Sequence, residues 1–121
     1  MKYWFVSGSA LAALSVLFGA FGAHYLKSKL TSPDLEIFEI GVRYQMYHAL
    51  GIMVISIIGY ELPHDLLKIP AYLLSFGTLI FSGSLYILVL TNLRWFGMIT
   101  PIGGMFLVLG WLLLCLNIYR Y

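Results

Sequence analysis

Between residues 4 and 26 the chain contains no Asp, Glu, Lys or Arg. A helix needs about 20 mainly apolar residues to cross the hydrocarbon core of a bilayer. The stretch at 4–26 meets that requirement, and comparable stretches follow at 44–60, 69–91 and 97–118. Lys2 ahead of the first run, and small residues around Ala20 and Gly22, trace the outline of a secretory leader. The run is longer than a leader's apolar region, so it is read as a retained span. Composition agrees: 61% of residues are hydrophobic and 10% are charged, against roughly 25% charged in a soluble domain. A chain of 121 residues cannot hide that much apolar surface from water, because small domains leave a large share of their surface exposed.

The connections carry the remaining polar residues. Ser32 reads as an N-cap with Pro33 at the first helical position and Asp34 and Glu36 in the first turn. Leu35, Phe38 and Val42 share a face, and Glu39 and Arg43 are spaced for an intrahelical pair. Residues 33–43 are therefore expected to form an amphipathic interfacial helix that leads into the second span. Residues 61–65 read as a turn, with His64 and Asp65 as turn residues and Pro70 in the first turn of the third span. Residues 92–95 form a tight polar link. Thr100 and Pro101 read as a cap followed by a first-position proline, or as a kink in an earlier helix. Tyr119, Arg120 and Tyr121 form an interfacial anchor. The expected fold is all-α, a four-helix membrane bundle in a single domain.

Net charge is +2, with no basic stripe of the kind that binds nucleic acid. Four spans place Lys2, Lys68 and Arg120 on one side and Lys27, Lys29, Arg43 and Arg94 on the other. That bias is too small for the positive-inside rule to fix an orientation, and dual insertion stays open. Cys115 is the only cysteine, so no internal disulfide framework exists.

Small residues mark where helices approach. In the first span Gly8, Ala12, Ser15, Gly19 and Gly22 form one seam, and Ser9, Ala13, Ala20 and His24 line nearly the opposite face. Two such faces place this helix centrally. Ser75, Thr78 and Ser82 form a weakly polar stripe, and Gly103 and Gly110 are one heptad apart. His24 ends the first span and His48 opens the second, so antiparallel helices would bring them to similar depth on one side. Gln45 and Tyr44 share the face of His48. Ionisable groups inside a membrane are functional candidates by default, and two facing imidazoles suit a proton relay, a metal or a haem iron. The alternative is structural, with water, a carbonyl or Tyr47 satisfying the rings. Two histidines fall short of a zinc ligand set. No nucleophile elbow, phosphate loop or dinucleotide fingerprint occurs, and Ser7-Gly8-Ser9 and Ser82-Gly83-Ser84 have no acid partner in their segments. A non-enzyme with no cofactor is expected, with haem or metal at His24 and His48 as the minor alternative.

Several strings carry a resemblance: Gly19-Ala-Phe-Gly-Ala-His24, Tyr44-Gln-Met-Tyr-His48-Ala-Leu-Gly51, Phe81-Ser-Gly-Ser-Leu-Tyr86 through Thr91, Ile99-Thr-Pro-Ile-Gly-Gly104, and Gly110-Trp111. In this order and spacing the chain resembles the small four-span membrane proteins grouped as domain of unknown function 423, which are similar to eukaryotic transmembrane protein 256. The resemblance covers nearly the whole chain. It implies four spans in a bacterial cell membrane and brings no catalytic residues with it. Its strings coincide with the candidate polar network of His24, Tyr44, Gln45, Tyr47, His48, Ser82, Ser84, Tyr86 and Thr100. Three functions are weighed, in order: a non-catalytic accessory or structural protein working through helix contacts with a larger complex, a subunit of a small oligomeric transporter or channel, and a ligand or cofactor binder using His24 and His48; the partners expected are the lipid bilayer and other membrane proteins or a homo-oligomer.

Overall fold

A computed structural model describes residues 1–121. The chain is all-helical: α1 Lys2–His24, α2 Ser32–Ile58, α3 His64–Thr91 and α4 Thr100–Arg120, with short 3-10 segments at Leu26–Ser28 and Arg94–Met98. By length and composition α1, α3 and α4 are apolar enough to cross a membrane. Charged residues in the first turns of α2 set it apart.

Each helix start lies a little before the position the sequence suggests. Thr31, not Ser32, caps α2: its hydroxyl oxygen accepts from the Asp34 amide at 3.3 Å, and Pro33 sits one place further in. A proline tolerates either place because its missing N–H would have had no helical partner. The same shift occurs at α4, where Ile99 is the cap and Thr100 and Pro101 are the first two helical residues. Residues 33–43 form no separate interfacial helix; they are the first turns of one continuous α2. His64 and Asp65 are not turn residues but open α3, which puts Pro70 inside a helix. Asn92 closes α3 in the left-handed conformation at φ 57°, which Asn tolerates better than most residues.

The small-residue seam of α1 lies along α2. A side-chain carbon on Gly8 would meet the Ala49 carbonyl oxygen at 2.7 Å, and one on Gly22 would meet the Phe38 ring at 3.0 Å. Ser15 is buried in the same contact, with its hydroxyl donating to the Val42 carbonyl at 2.7 Å. Ala12 is half-buried there, and Gly19 faces Val42. On the second face Ser9 is half-buried, while Ala13, Ala20 and His24 are exposed. The central placement of α1 is thus overturned. α1 packs along α2, α2 along α3 and α3 along α4, so α2 and α3 form the middle of the bundle. On α4, a side-chain carbon at Gly103 would strike the Phe81 backbone nitrogen, and one at Gly110 would meet Leu74 at 2.8 Å. Both glycines set the approach of α4 to α3.

The interior has two apolar clusters. One joins Ile52, Ile55, Leu67, Leu74 and Leu114. The other, toward the α1–α2 corner, joins Leu26, Phe38, Leu88 and Val89. Between them lies a belt of buried Ser15, Gln45, Thr78, Ser82 and Ser84. Outward faces are apolar on every helix, with Leu17, Val54, Leu79 and Leu112 all more than half exposed. Water would not tolerate a surface this continuous in hydrocarbon.

Candidate functional site

The polar belt begins with Gln45, 4% exposed on α2. Its amide nitrogen donates to the Leu11 carbonyl of α1 at 2.8 Å, and its amide oxygen accepts from the Tyr86 hydroxyl of α3 at 2.7 Å. One side chain therefore ties three helices. Beside it the Ser82 hydroxyl donates to the Gly41 carbonyl at 2.7 Å. Gly41 permits this approach, since a side-chain carbon there would meet the Tyr86 ring at 2.8 Å. The Tyr86 ring also lies against Phe38 and edge-on to Phe18.

His48 belongs to a different flank. It is 6% exposed, and its Nδ1 donates to the Tyr44 carbonyl one turn earlier at 2.7 Å, which places the neutral-ring proton on Nδ1. Trp111 of α4 lies 6.0 Å away between ring centroids. Tyr44 packs on Phe81, and Tyr47 is exposed. The hydroxyls of Ser84 and Thr100 meet at 2.5 Å between α3 and α4.

The structure does not bring His24 and His48 together. Leu11 faces Gln45 and Gly8 faces Ala49, so His48 lies level with the first half of α1. His24 lies beyond Gly22, which faces Phe38. The axial offset is about 14 residues, or roughly 20 Å. The equal-depth expectation assumed that the second crossing starts near Tyr44. Because α2 already pairs with α1 from its first turns, His48 sits deeper. No metal ion or haem iron bridges two rings this far apart, and no group of three His, Cys, Asp or Glu side chains converges.

Three features escaped the sequence reading. Asn117 of α4 donates to the Leu66 carbonyl of α3 at 2.7 Å. Leu66 is four residues before Pro70, so its carbonyl has lost its helical partner. The signal was available: a proline inside a span requires a donor from elsewhere. Ser56 likewise donates across to the Met1 carbonyl, at 2.5 Å. Arg94 and Asp34 form a two-pronged pair at 2.8 and 2.7 Å, joining the link before α4 to the start of α2. The hydrogen bonds from Arg94 hold the Asp34 carboxyl below the usual carboxylate range and raise the arginine in return. By contrast, Glu39 and Arg43 are exposed and 3.9 Å apart, a weak surface pair.

A helical bundle with apolar outer faces and polar side chains turned inward is the construction of an integral membrane protein. The comparisons make this specific: the chain belongs to the family described as "Protein of unknown function (DUF423)", which matches residues 18–104. A UPF0382 membrane protein of Staphylococcus haemolyticus is 41% identical over 121 residues, covering 100% of this chain and 98% of its own. One from Staphylococcus saprophyticus is 43% identical over 120 residues, covering 99% of each. The UPF0382 membrane protein YwdK of Bacillus subtilis is 37% identical over 122 residues, covering 100% of this chain and 99% of its own. No solved structure matches.

Proposed function

We propose that the protein is a four-span, non-catalytic accessory protein of a bacterial cell membrane. It works by presenting rigid helix faces to other membrane proteins. In this reading α2 is the fourth crossing, with Asp34, Glu36, Glu39 and Arg43 at the headgroup level. The observation that carries the reading is what the interior polar side chains do. Ser15, Gln45, Ser56, Ser82 and Asn117 each donate to a backbone carbonyl of another helix or of the chain's first residue. Such groups fasten helices where hydrocarbon offers no competing partner. A nucleophile or base needs a free functional atom beside a proton acceptor, and these hydroxyls are already committed. The exposed face of α1 that carries Ala13, Leu17 and Ala20 offers an apolar surface for another helix to pack on.

The test is extraction from the native membrane in several mild detergents, followed by native mass spectrometry. A second protein in stoichiometric amount is expected. Recovery of this chain only, as monomer or homo-oligomer in every detergent, counts against the accessory role.

A further inference from the structure

On one side of the bundle α1 and α3 face each other with little close backbone approach. Aromatic bridges join them. Trp4 meets Tyr72 edge-on at 4.8 Å between centroids, and Phe18 meets Tyr86 edge-on at 5.2 Å. Between the bridges the wall opens into two adjoining cavities of about 350 and 160 Å³ that share Leu11, Leu14 and Leu79. A third, of about 90 Å³, continues past Phe18 toward Phe21 and Leu90. The groove follows α1 for roughly 25 Å and is long and narrow, the shape of a chain. Its larger cavity is within the size of ordinary small-molecule sites, roughly 300–1,000 Å³.

Two observations set it apart from a packing defect. Gly83 lines the groove in the middle of α3, and alone among the glycines it has nothing within 4 Å of where a side-chain carbon would stand. A helix-interior glycine costs roughly 1 kcal/mol relative to alanine, and no neighbour here requires it. Its effect is to keep the groove open. The second is Gln45 at the floor. Its amide carries two N–H donors, one of which goes to Leu11. The other has no protein partner in a side chain that is 4% exposed.

Gln45 faces Leu11 within α1, roughly 14 Å from one end of the helix and 20 Å from the other. A charged headgroup at that depth is costly, so the occupant is neutral. A plain acyl chain would leave the Gln45 donor unmatched, whereas a carbonyl accepts it. Phe18, Tyr72, Phe76 and Tyr86 along the walls favour a flat ring. We infer that this groove binds a neutral prenyl quinone, a flat ring with carbonyl oxygens on an apolar chain. A ring carbonyl accepts from Gln45, the ring lies over Gly83 beside the Phe18–Tyr86 bridge, and the chain runs past Leu14 and Leu79 toward Trp4.

The test uses the full chain in phosphatidylcholine nanodiscs, with Trp95 and Trp111 replaced by Phe so that Trp4 reports. The probe is a 1,4-naphthoquinone bearing a ten-carbon chain, and the control is the same chain on naphthalene, which does not quench tryptophan and is added as a competitor of the quinone. Saturable quenching by the quinone is expected. Gly83→Leu, whose first side-chain carbon enters open space, should remove the saturable part. Gln45→Leu should weaken it about fivefold to tenfold, one neutral hydrogen bond's worth. Equal affinity of Gly83→Leu and the parent, or release of the saturable quenching by an equimolar amount of the carbonyl-free competitor, overturns the site. If Gln45→Leu fails to fold, Gly83→Leu still decides. Neither outcome touches the accessory reading, which is read from co-purifying protein.

Discussion

Pro70 has no N–H, so the Leu66 carbonyl has no partner within α3. In water such a carbonyl would be hydrated; in hydrocarbon it must find a protein donor, and Asn117 supplies one at 2.7 Å. Asn117→Leu should therefore destabilise the bundle by about 0.5–2 kcal/mol, the range for a polar contact between membrane helices. In a Pro70→Ala background the helix regains its own donor, and the loss from Asn117→Leu should shrink toward zero. Reversible unfolding of the four proteins in mixed micelles gives the cycle. Equal losses in both backgrounds would show that Asn117 acts by some other route. Gly103 is a second residue-scale constraint, because a side-chain carbon there would strike the Phe81 backbone rather than a movable side chain. Gly103→Val should lower stability by roughly 1–3 kcal/mol in the same assay, whereas Gly83→Val, in open space, should leave it nearly unchanged. Similar losses at both positions would mean that α3–α4 contact does not depend on close backbone approach.

At the scale of elements, the Asp34–Arg94 pair joins two corners that share no covalent neighbour. The folded-state value of Asp34 is lowered, so the pair's contribution is present above the unfolded carboxylate value of about 4. It is lost as pH falls through the lower folded value. Arg94→Gln should melt below the parent at pH 7, and the two curves should converge as Asp34 protonates below roughly pH 4. High salt should narrow the gap at neutral pH, since half of the Arg94 side chain is exposed. A gap that persists unchanged into acid would assign the arginine a different task. The elements themselves were largely legible, because apolar runs broken by Pro, Gly and charge translate directly into helices and links. The depth of α2 was not. Asp34, Glu36, Glu39 and Arg43 read as a surface helix, yet Phe38 and Gly41 on the opposite face pack into the bundle, and tertiary contact decides such a boundary. That one misjudged start displaced His48 from His24. Gln45, Ser82 and Tyr86 were legible as polar candidates, while their convergence on one belt depends on the register between α2 and α3.

For the whole molecule, the number of crossings follows from how α2 is matched to its neighbour. α1 is long and apolar enough to span, and α2 contacts it from the Gly22–Phe38 level to Gly59, which lies on Met1. Two antiparallel helices in contact over that whole length traverse the same thickness. If α1 crosses, α2 crosses with it, despite its charged first turns. Single cysteines in a Cys115→Ala background test this with a membrane-impermeant thiol reagent on sealed vesicles. Cysteines at Lys29 and Arg94 should react from one side, and those at Glu61 and Arg120 from the other. Lys29 and Glu61 reacting from the same side would leave three crossings and put α2 on the surface. The weak charge bias between the two ends, Lys27, Lys29, Arg43 and Arg94 against Lys2, Lys68 and Arg120, bears on the same experiment. Each site should label from one side only if a partner fixes the orientation, and from both sides in two populations if the chain inserts both ways.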